Sequence, residues 1–130
     1  MSFTLQIGDS APGFNLEATD GNQYSLSSFK DSKYLVIFFT CNHCPTAQAY
    51  ENRIIRLVEE YKNQSVRVVA ISPNSVKSLL LEELGYSDLG DSFEEMKIRA
   101  KDKNFNFVYL YDGDSQEVSI KYGPKATPHA

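Results

Sequence analysis

Apolar and polar residues alternate along the chain with two different periods, and each period predicts a kind of element. Residues 14–26, FNLEATDGNQYSL, alternate on both sides of Asp20-Gly21, which predicts a β-hairpin with its turn at this pair. Continuous apolar runs at 33–39, 66–72 and 105–111 are typical of strands that are buried on both faces. The pattern therefore predicts a hairpin followed by three buried strands.

Helical spacing occupies the segments between these strands. Apolar residues at steps of three and four predict a helix over 45–62. Its apolar face comprises Ala47, Tyr50, Ile54, Leu57, Val58 and Tyr61. Ser92 with Glu95 three residues later forms a capping box, and it predicts a second helix that starts there.

Two shorter helices are expected at about 76–84 and 115–122, the latter ending at Gly123. Strands that alternate with helices after an N-terminal hairpin are typical of the α/β class, with a central, mostly parallel sheet flanked by helices. Without a linker or an internal repeat, 1–130 is predicted to be a single domain.

Charge and hydropathy narrow the choice of partners. The formal net charge is −4, and the lysines and arginines are scattered among acidic residues, so we expect no nucleic-acid partner. The longest apolar run, at 34–39, is too short to cross a bilayer, and the N-terminus lacks the pattern of a secretory signal. We therefore expect no membrane partner and a cytoplasmic location, where thiols are kept reduced.

The stretch FFTCNHCPTA contains the only two cysteines, Cys41 and Cys44. Cys41 follows a predicted buried strand and precedes a helix, whose first turn favours a thiolate and should lower the pKa of Cys41. Cys44 lies about one helical turn further on, within reach of a disulfide, and Pro45 is tolerated in a first turn. A Cys-x-x-Cys in this setting predicts a redox pair that needs no cofactor and no metal.

The two cysteines also fit two roles without redox chemistry. They are either buried core thiols or half of a zinc site, for which His43 and His129 are the only histidines in the sequence. His43, between the cysteines, either tunes the thiolate by its charge or is a solvated side chain at a helix start.

Three stretches together resemble the thioredoxin-like superfamily, and within it the redoxin branch of AhpC/TSA-type and TlpA-like proteins. They are GDSAPGFNLEATDGNQYSLSSFK, VIFFTCNHCP and KYGPKATPHA. The resemblance implies a thioredoxin-like fold in which Cys41 attacks and Cys44 resolves. It also implies that Pro128 is a cis-proline opposite the pair and that Thr127 offers backbone groups to an extended protein or small-molecule thiol or disulfide substrate.

The chain departs from this family pattern at three places. Thr40 replaces a common tryptophan, and Leu35 stands where thioredoxins have a buried aspartate. Family members continue past the proline with two strands and a helix, whereas this chain ends at Ala130. We expect a C-terminally incomplete domain whose exposed sheet edge invites dimerisation.

Three functions follow from these features. The favoured one is a thiol–disulfide oxidoreductase that acts through a mixed disulfide. One alternative is a peroxiredoxin-like thiol peroxidase, with Cys44 as the peroxidatic thiol, Cys41 in the position of the family threonine, and Arg53 as a candidate for holding peroxide. The other is a copper- or zinc-binding redoxin in which both thiolates and His129 are ligands.

The segment before the second long helix supplies weaker candidates. Tyr86, Asp88, Asp91 and Ser92 are placed to border the active site, but a solvated loop and a helix cap are the favoured interpretation. The apolar run at 79–84 is interpreted as a small helix that faces the core.

Overall fold

A computed structural model describes residues 4–73 and 90–130 of the chain. The strands are β1 (Asn15–Ala18), β2 (Gln23–Ser25), β3 (Tyr34–Phe39), β4 (Val66–Ser72) and β5 (Val108–Tyr111). The helices are α1 (Pro45–Tyr61), α2 (Phe93–Asp102) and α3 (Glu117–Tyr122), with a 3-10 turn at Leu26–Phe29. The helix predicted at 76–84, the run at 79–84 and the candidates Tyr86 and Asp88 lie outside the described residues.

The strands form one mixed sheet in the order β2-β1-β5-β4-β3. The predicted hairpin is confirmed, since β1 pairs with β2 antiparallel and Asn15 stands opposite Ser25. Gly21 has φ +89°, and the Asn22 amide donates to Asp20 Oδ1, as expected for this turn. β3, β4 and β5 are parallel, which confirms the predicted parallel centre.

Side chains of the central strands point alternately to two apolar clusters, one on each face of the sheet. The hairpin-side core consists of Phe14, Ala18, Phe29, Phe39, Val69, Ile71, Leu110, Val118 and Tyr122. The helix-side core consists of Phe38, Val68, Ala70, Met96 and Tyr109, with Ile54 and Val58 of α1 packed against it. Both faces are thus covered, as the uninterrupted apolar strands predicted.

The predicted apolar face of α1 is partly wrong. Ala47 is buried, but Tyr50, Leu57 and Tyr61 remain 44%, 43% and 37% exposed. The buried polar residue of this helix is Glu51, whose carboxylate pairs with the Arg99 guanidinium of α2 in a two-pronged contact, including Nε to Oε2 at 3.0 Å. This ion pair occupies the flank of α1 that faces α2, which leaves a narrower apolar stripe against the sheet.

β5 is shorter than the predicted strand at 105–111. The Phe105 amide donates to the last turn of α2 at Ala100 O (3.0 Å), and the rings of Phe105 and Phe107 stack with centroids 4.6 Å apart. These residues therefore join α2 to the sheet instead of extending β5. α3 likewise begins after Gln116, whose left-handed φ of 59° interrupts the predicted start.

β3 lies at one edge of the described sheet. Near its end, Phe39 and His129 form an antiparallel bridge with N–O distances of 2.8 and 3.0 Å. The predicted dimerisation through this edge stays a prediction. In the ranges 4–73 and 90–130, each helix is too short or too polar to cross a membrane.

Candidate active site

Both cysteines lie in the short connection between β3 and α1. The Thr40 amide still donates to Ile71 O of β4 at 3.0 Å, so the strand pairing holds the chain up to the residue before Cys41. Cys44 is the N-cap of α1, with extended backbone angles, and its carbonyl accepts the Gln48 amide at 3.0 Å. The helix starts at Pro45, directly after the second cysteine, so Cys41 lies outside it.

The two sulfur atoms converge on Thr127. Cys41 Sγ lies 3.4 Å from Thr127 Oγ1, and Cys44 Sγ donates to Thr127 O at 3.5 Å. The Thr127–Pro128 peptide bond is cis, as the resemblance implied. The bridge from His129 to Phe39 fixes this segment beside the loop, so the cysteines and the cis-proline segment meet at one place.

The two thiols differ in exposure. Cys41 is only 2% exposed, whereas Cys44 is partly exposed. Burial raises the pKa of Cys41 from 9.0 to about 12, and the nearby Asp91 and Cys44 add to the rise while the contact with Thr127 opposes it. The predicted lowering of the pKa of Cys41 is therefore wrong, because this residue lies before the first turn of α1 and is shielded from water.

A buried polar network holds the loop between the cysteines. Asn42, 1% exposed, accepts the Tyr109 hydroxyl at Oδ1 (2.9 Å) and donates from Nδ2 to Gly90 O (2.9 Å). The Gln48 side chain donates to Asn42 O at 2.7 Å. Because these groups are paired away from water, the loop conformation is defined by hydrogen bonds to β5, α1 and the segment before α2.

Asp91 is part of the same network, and the expectation of a solvated position is wrong because its side chain is fully buried. Its Oδ1 accepts the amides of Asn42 (2.6 Å) and His43 (3.3 Å), and its Oδ2 contacts His43 Nδ1. Sequence reasoning undervalued this residue, since its only local signal was a position next to the helix cap. Ser92 does cap α2, as predicted, and accepts the Glu95 amide at 3.1 Å.

The residues considered for metal or peroxide binding are placed differently from expectation. Cys41 Sγ, a ring nitrogen of His43 and a carboxylate oxygen of Asp91 lie within 4.8 Å of one another. Asp91 Oδ1 accepts the Asn42 amide and Oδ2 contacts His43 Nδ1, and we assign no metal ligands to this group. His129 Nδ1 accepts the Lys125 amide and lies outside this group, and exposed Arg53 stacks on the Tyr50 ring at 5.2 Å.

The chain is similar both to a protein named as a peroxiredoxin and to proteins of solved structure. "Putative peroxiredoxin MT2597" of Mycobacterium tuberculosis is 27% identical over 143 residues, which cover 96% of this chain and 90% of that protein. A hypothetical protein, SMc02350 from Sinorhizobium meliloti 1021, has a crystal structure with a TM-score of 0.83 and 30% identity. An uncharacterized conserved protein from Geobacillus kaustophilus gives a TM-score of 0.76 and 36% identity.

The match to these two solved structures covers 98% and 90% of this chain, which spans 64% and 57% of theirs. A thiol-disulfide oxidoreductase from Bacteroides fragilis, at 22% identity, superposes with a TM-score of 0.70 over 92% of this chain and 79% of its own. This likeness confirms the predicted thioredoxin-like fold. Residues 7–129 match the AhpC/TSA family, and the chain therefore belongs to that family of redoxins.

Proposed function

We propose that the chain is a thiol–disulfide oxidoreductase that cycles Cys41 and Cys44 between a dithiol and a disulfide. The observation that carries the proposal is the convergence of both sulfurs on Thr127, at 3.4 and 3.5 Å, directly before cis-Pro128. Two thiols next to each other, with one of them partly exposed, are what exchange through a mixed disulfide requires. Membership of the AhpC/TSA family supports the same class of chemistry.

The difference in exposure favours an order of attack opposite to the expected one. Cys44 is partly exposed and caps α1, so a substrate sulfur reaches it before it reaches the buried Cys41. Cys44 then forms the mixed disulfide and Cys41 resolves it. Thr127 contacts both sulfurs and precedes cis-Pro128, which supports the proposal that its backbone binds an extended substrate.

The reaction balances without a cofactor. The Cys44 thiolate attacks a substrate disulfide, one substrate sulfur leaves as a thiolate, and a mixed disulfide forms. Cys41 then loses its proton and attacks Cys44 Sγ, which releases the second substrate sulfur. The protein pair is oxidised by two electrons and the substrate disulfide is reduced by the same two. A dithiol substrate runs these steps in reverse.

Trapping of the mixed disulfide tests this order. The Cys41→Ser variant should form a stable covalent adduct with a disulfide substrate, because nothing resolves it, and the Cys44→Ser variant should form little or none. The double variant is the control. An adduct on Cys44→Ser alone would restore the expected order, and turnover of a disulfide by the double variant would refute the proposal. Adducts are quantified by mass spectrometry.

A thiol peroxidase is the second candidate. It is favoured by the M. tuberculosis relative named as a peroxiredoxin and by the partly exposed Cys44, which Pro45 and Thr46 follow. Cys41→Ser, supplied with hydrogen peroxide and a dithiol reductant, separates the two functions. Sustained peroxide turnover by Cys44 alone would support a peroxidase, whereas loss of turnover together with a trapped disulfide adduct would support the oxidoreductase.

We further propose a cytosolic location and thiol or disulfide substrates that are proteins or small molecules. A reduction potential of the Cys41–Cys44 pair near the cytosolic poise supports a reductase, and a much higher potential supports an oxidant. Pairing of two copies through the edge strand β3 is also proposed, and sedimentation at increasing concentration tests it.

A further inference from the structure

Resolution of the mixed disulfide requires a proton acceptor for Cys41. This thiol is 2% exposed, and its pKa of about 12 means that at neutral pH it almost always keeps its proton. Bulk water is therefore poorly placed to remove the proton. A side chain inside the site has to receive it if the second step is to be fast.

Titratable groups of the described residues that act on Cys41 include Asp91, Cys44 and Tyr109, and a ring nitrogen of His43 lies within 4.8 Å of its sulfur. In the mixed disulfide Cys44 is already bonded to substrate and accepts no proton. Burial holds the pKa of Tyr109 well above its usual 10.0, so the phenol keeps its own proton. Asp91 and the imidazole bonded to it remain.

The geometry of Asp91 and His43 suits this role. The carboxylate is fixed by two backbone amides, of Asn42 at 2.6 Å and His43 at 3.3 Å, and its second oxygen contacts His43 Nδ1. A ring nitrogen of His43, an oxygen of Asp91 and Cys41 Sγ all lie within 4.8 Å of one another. A small shift of the thiol, or one bridging water, connects these three groups.

We propose that the Asp91–His43 pair accepts the Cys41 proton when Cys41 attacks the mixed disulfide on Cys44. The inference rests on the proposed oxidoreductase function. The proton passes from Cys41 to the pair, and the new Cys41–Cys44 S–S bond forms as the bond between Cys44 and the substrate sulfur breaks. The substrate sulfur leaves as a thiolate, which can then take this same proton from the pair. His43 receives the proton, and Asp91 orients the imidazole and stabilises its charge.

If Asp91 acted only through its negative charge, its removal would change the rate of resolution in the opposite direction. Its negative charge raises the pKa of Cys41, so removing that charge alone would increase the thiolate fraction and accelerate resolution. Removing a proton acceptor slows resolution instead. The direction of the effect of Asp91→Asn therefore distinguishes the two roles.

The reaction of the reduced 130-residue chain with 5,5′-dithiobis(2-nitrobenzoic acid) separates the two steps. Attack by the first cysteine releases one equivalent of coloured thiolate, and resolution by the second cysteine releases another. Stopped-flow absorbance resolves both phases. We expect Asp91→Asn and His43→Gln to slow the second phase by about 10-fold or more at pH 7, while the first phase changes by less than about two-fold.

Three further readouts separate a proton acceptor from a structural role. The double variant Asp91→Asn/His43→Gln should be no slower than the slower single variant, because the two residues act as one unit. The second phase of each variant should recover as pH rises above 9 and hydroxide replaces the acceptor. Asp91→Glu should restore part of the rate.

Asp112→Asn is the matched control. Asp112 is 3% exposed and accepts the Ser119 amide at 2.7 Å and the Ser119 hydroxyl at 2.6 Å, so it is a second buried carboxylate at a helix start. Both phases should keep their wild-type rates in this variant. A second phase that is unchanged or faster in Asp91→Asn overturns the inference, as does equal slowing of both phases. A wild-type chain that releases only one equivalent overturns the proposed function itself.

Discussion

The cores on the two faces of the sheet differ in their content of buried polar groups. The hairpin-side core is apolar throughout, from Phe14 to Tyr122, and its residues touch one another across β1, β4, β5 and α3. The helix-side core is smaller, and buried polar groups adjoin it, including Asn42, Asp91 and the Glu51–Arg99 pair. The hairpin-side core is stabilised mainly by apolar burial, with the buried Asp112–Ser119 pair beside it at α3. On the helix side, buried hydrogen bonds also hold the loop that carries the thiols.

This difference indicates which residues can change without altering the chemistry. A cavity on the hairpin side should weaken the fold and leave the site intact in the molecules that remain folded. A change on the helix side should alter stability and thiol reactivity together, because the loop that carries the cysteines is bonded to Tyr109 of that core. The following experiments test this separation.

The largest effect is expected from Ile71→Ala. Ile71 is fully buried in the hairpin-side core, and truncation of such a residue typically lowers the free energy of unfolding by about 2–5 kcal/mol. Urea unfolding measures the loss. The two phases of the thiol reaction should stay within about two-fold of wild type under folding conditions. A larger change in the second phase would show that the two faces are not separable.

A smaller loss of stability with a change in reactivity is expected from Tyr109→Phe. The variant removes the donor to Asn42 Oδ1 and leaves a buried acceptor without its partner, which costs about 1–3 kcal/mol. The loop between the cysteines loses one of its anchors, so the second phase should also slow. Wild-type kinetics in a destabilised variant would contradict the link between this core and the site.

The effect that is smallest at neutral pH is a difference in pH dependence. Because the pKa of Cys41 is raised from 9.0 to about 12, the folded state holds this proton more tightly than the unfolded state. The resulting stability is fully present below pH 9 and is lost as pH rises toward 12. The free energy of unfolding should therefore fall more steeply above pH 9 in wild type than in Cys41→Ser. Equal slopes in urea titrations would contradict the burial of this thiol.

Local patterns predicted most of the fold. The hairpin with its Asp20-Gly21 turn, the parallel strands and the Ser92 cap each depend on residues close together in sequence, or on apolar runs that must be covered. The start of β5 was missed because the Phe105 amide donates to Ala100 O in the last turn of α2, a contact between elements that the local pattern does not encode. The outward side chains of α1 were missed because their exposure depends on how Glu51 meets Arg99 of another helix.

The sequence predicted which residues form most of the candidate site, but not their burial or their pKa values. The family resemblance predicted the cis-proline segment beside the cysteines, and the spacing of the cysteines predicted that they act as a pair. Asp91 contacts His43 across 48 positions of sequence, and no local pattern encodes such a contact. The burial of Cys41 also depends on residues that are distant in sequence. The sequence therefore predicted a lowered pKa for this thiol, whereas burial raises it.

The backbone hydrogen bonds between Phe39 and His129 allow the site to be followed by a measurement that does not involve the sulfur atoms. The segment that contacts both sulfurs is tied to the strand by a reciprocal pair of backbone hydrogen bonds. Deuterium uptake at these two amides therefore reports how often the covering segment lifts away. Comparing that uptake between the dithiol and the disulfide forms would reveal whether oxidation stabilises or destabilises the contact between this segment and β3.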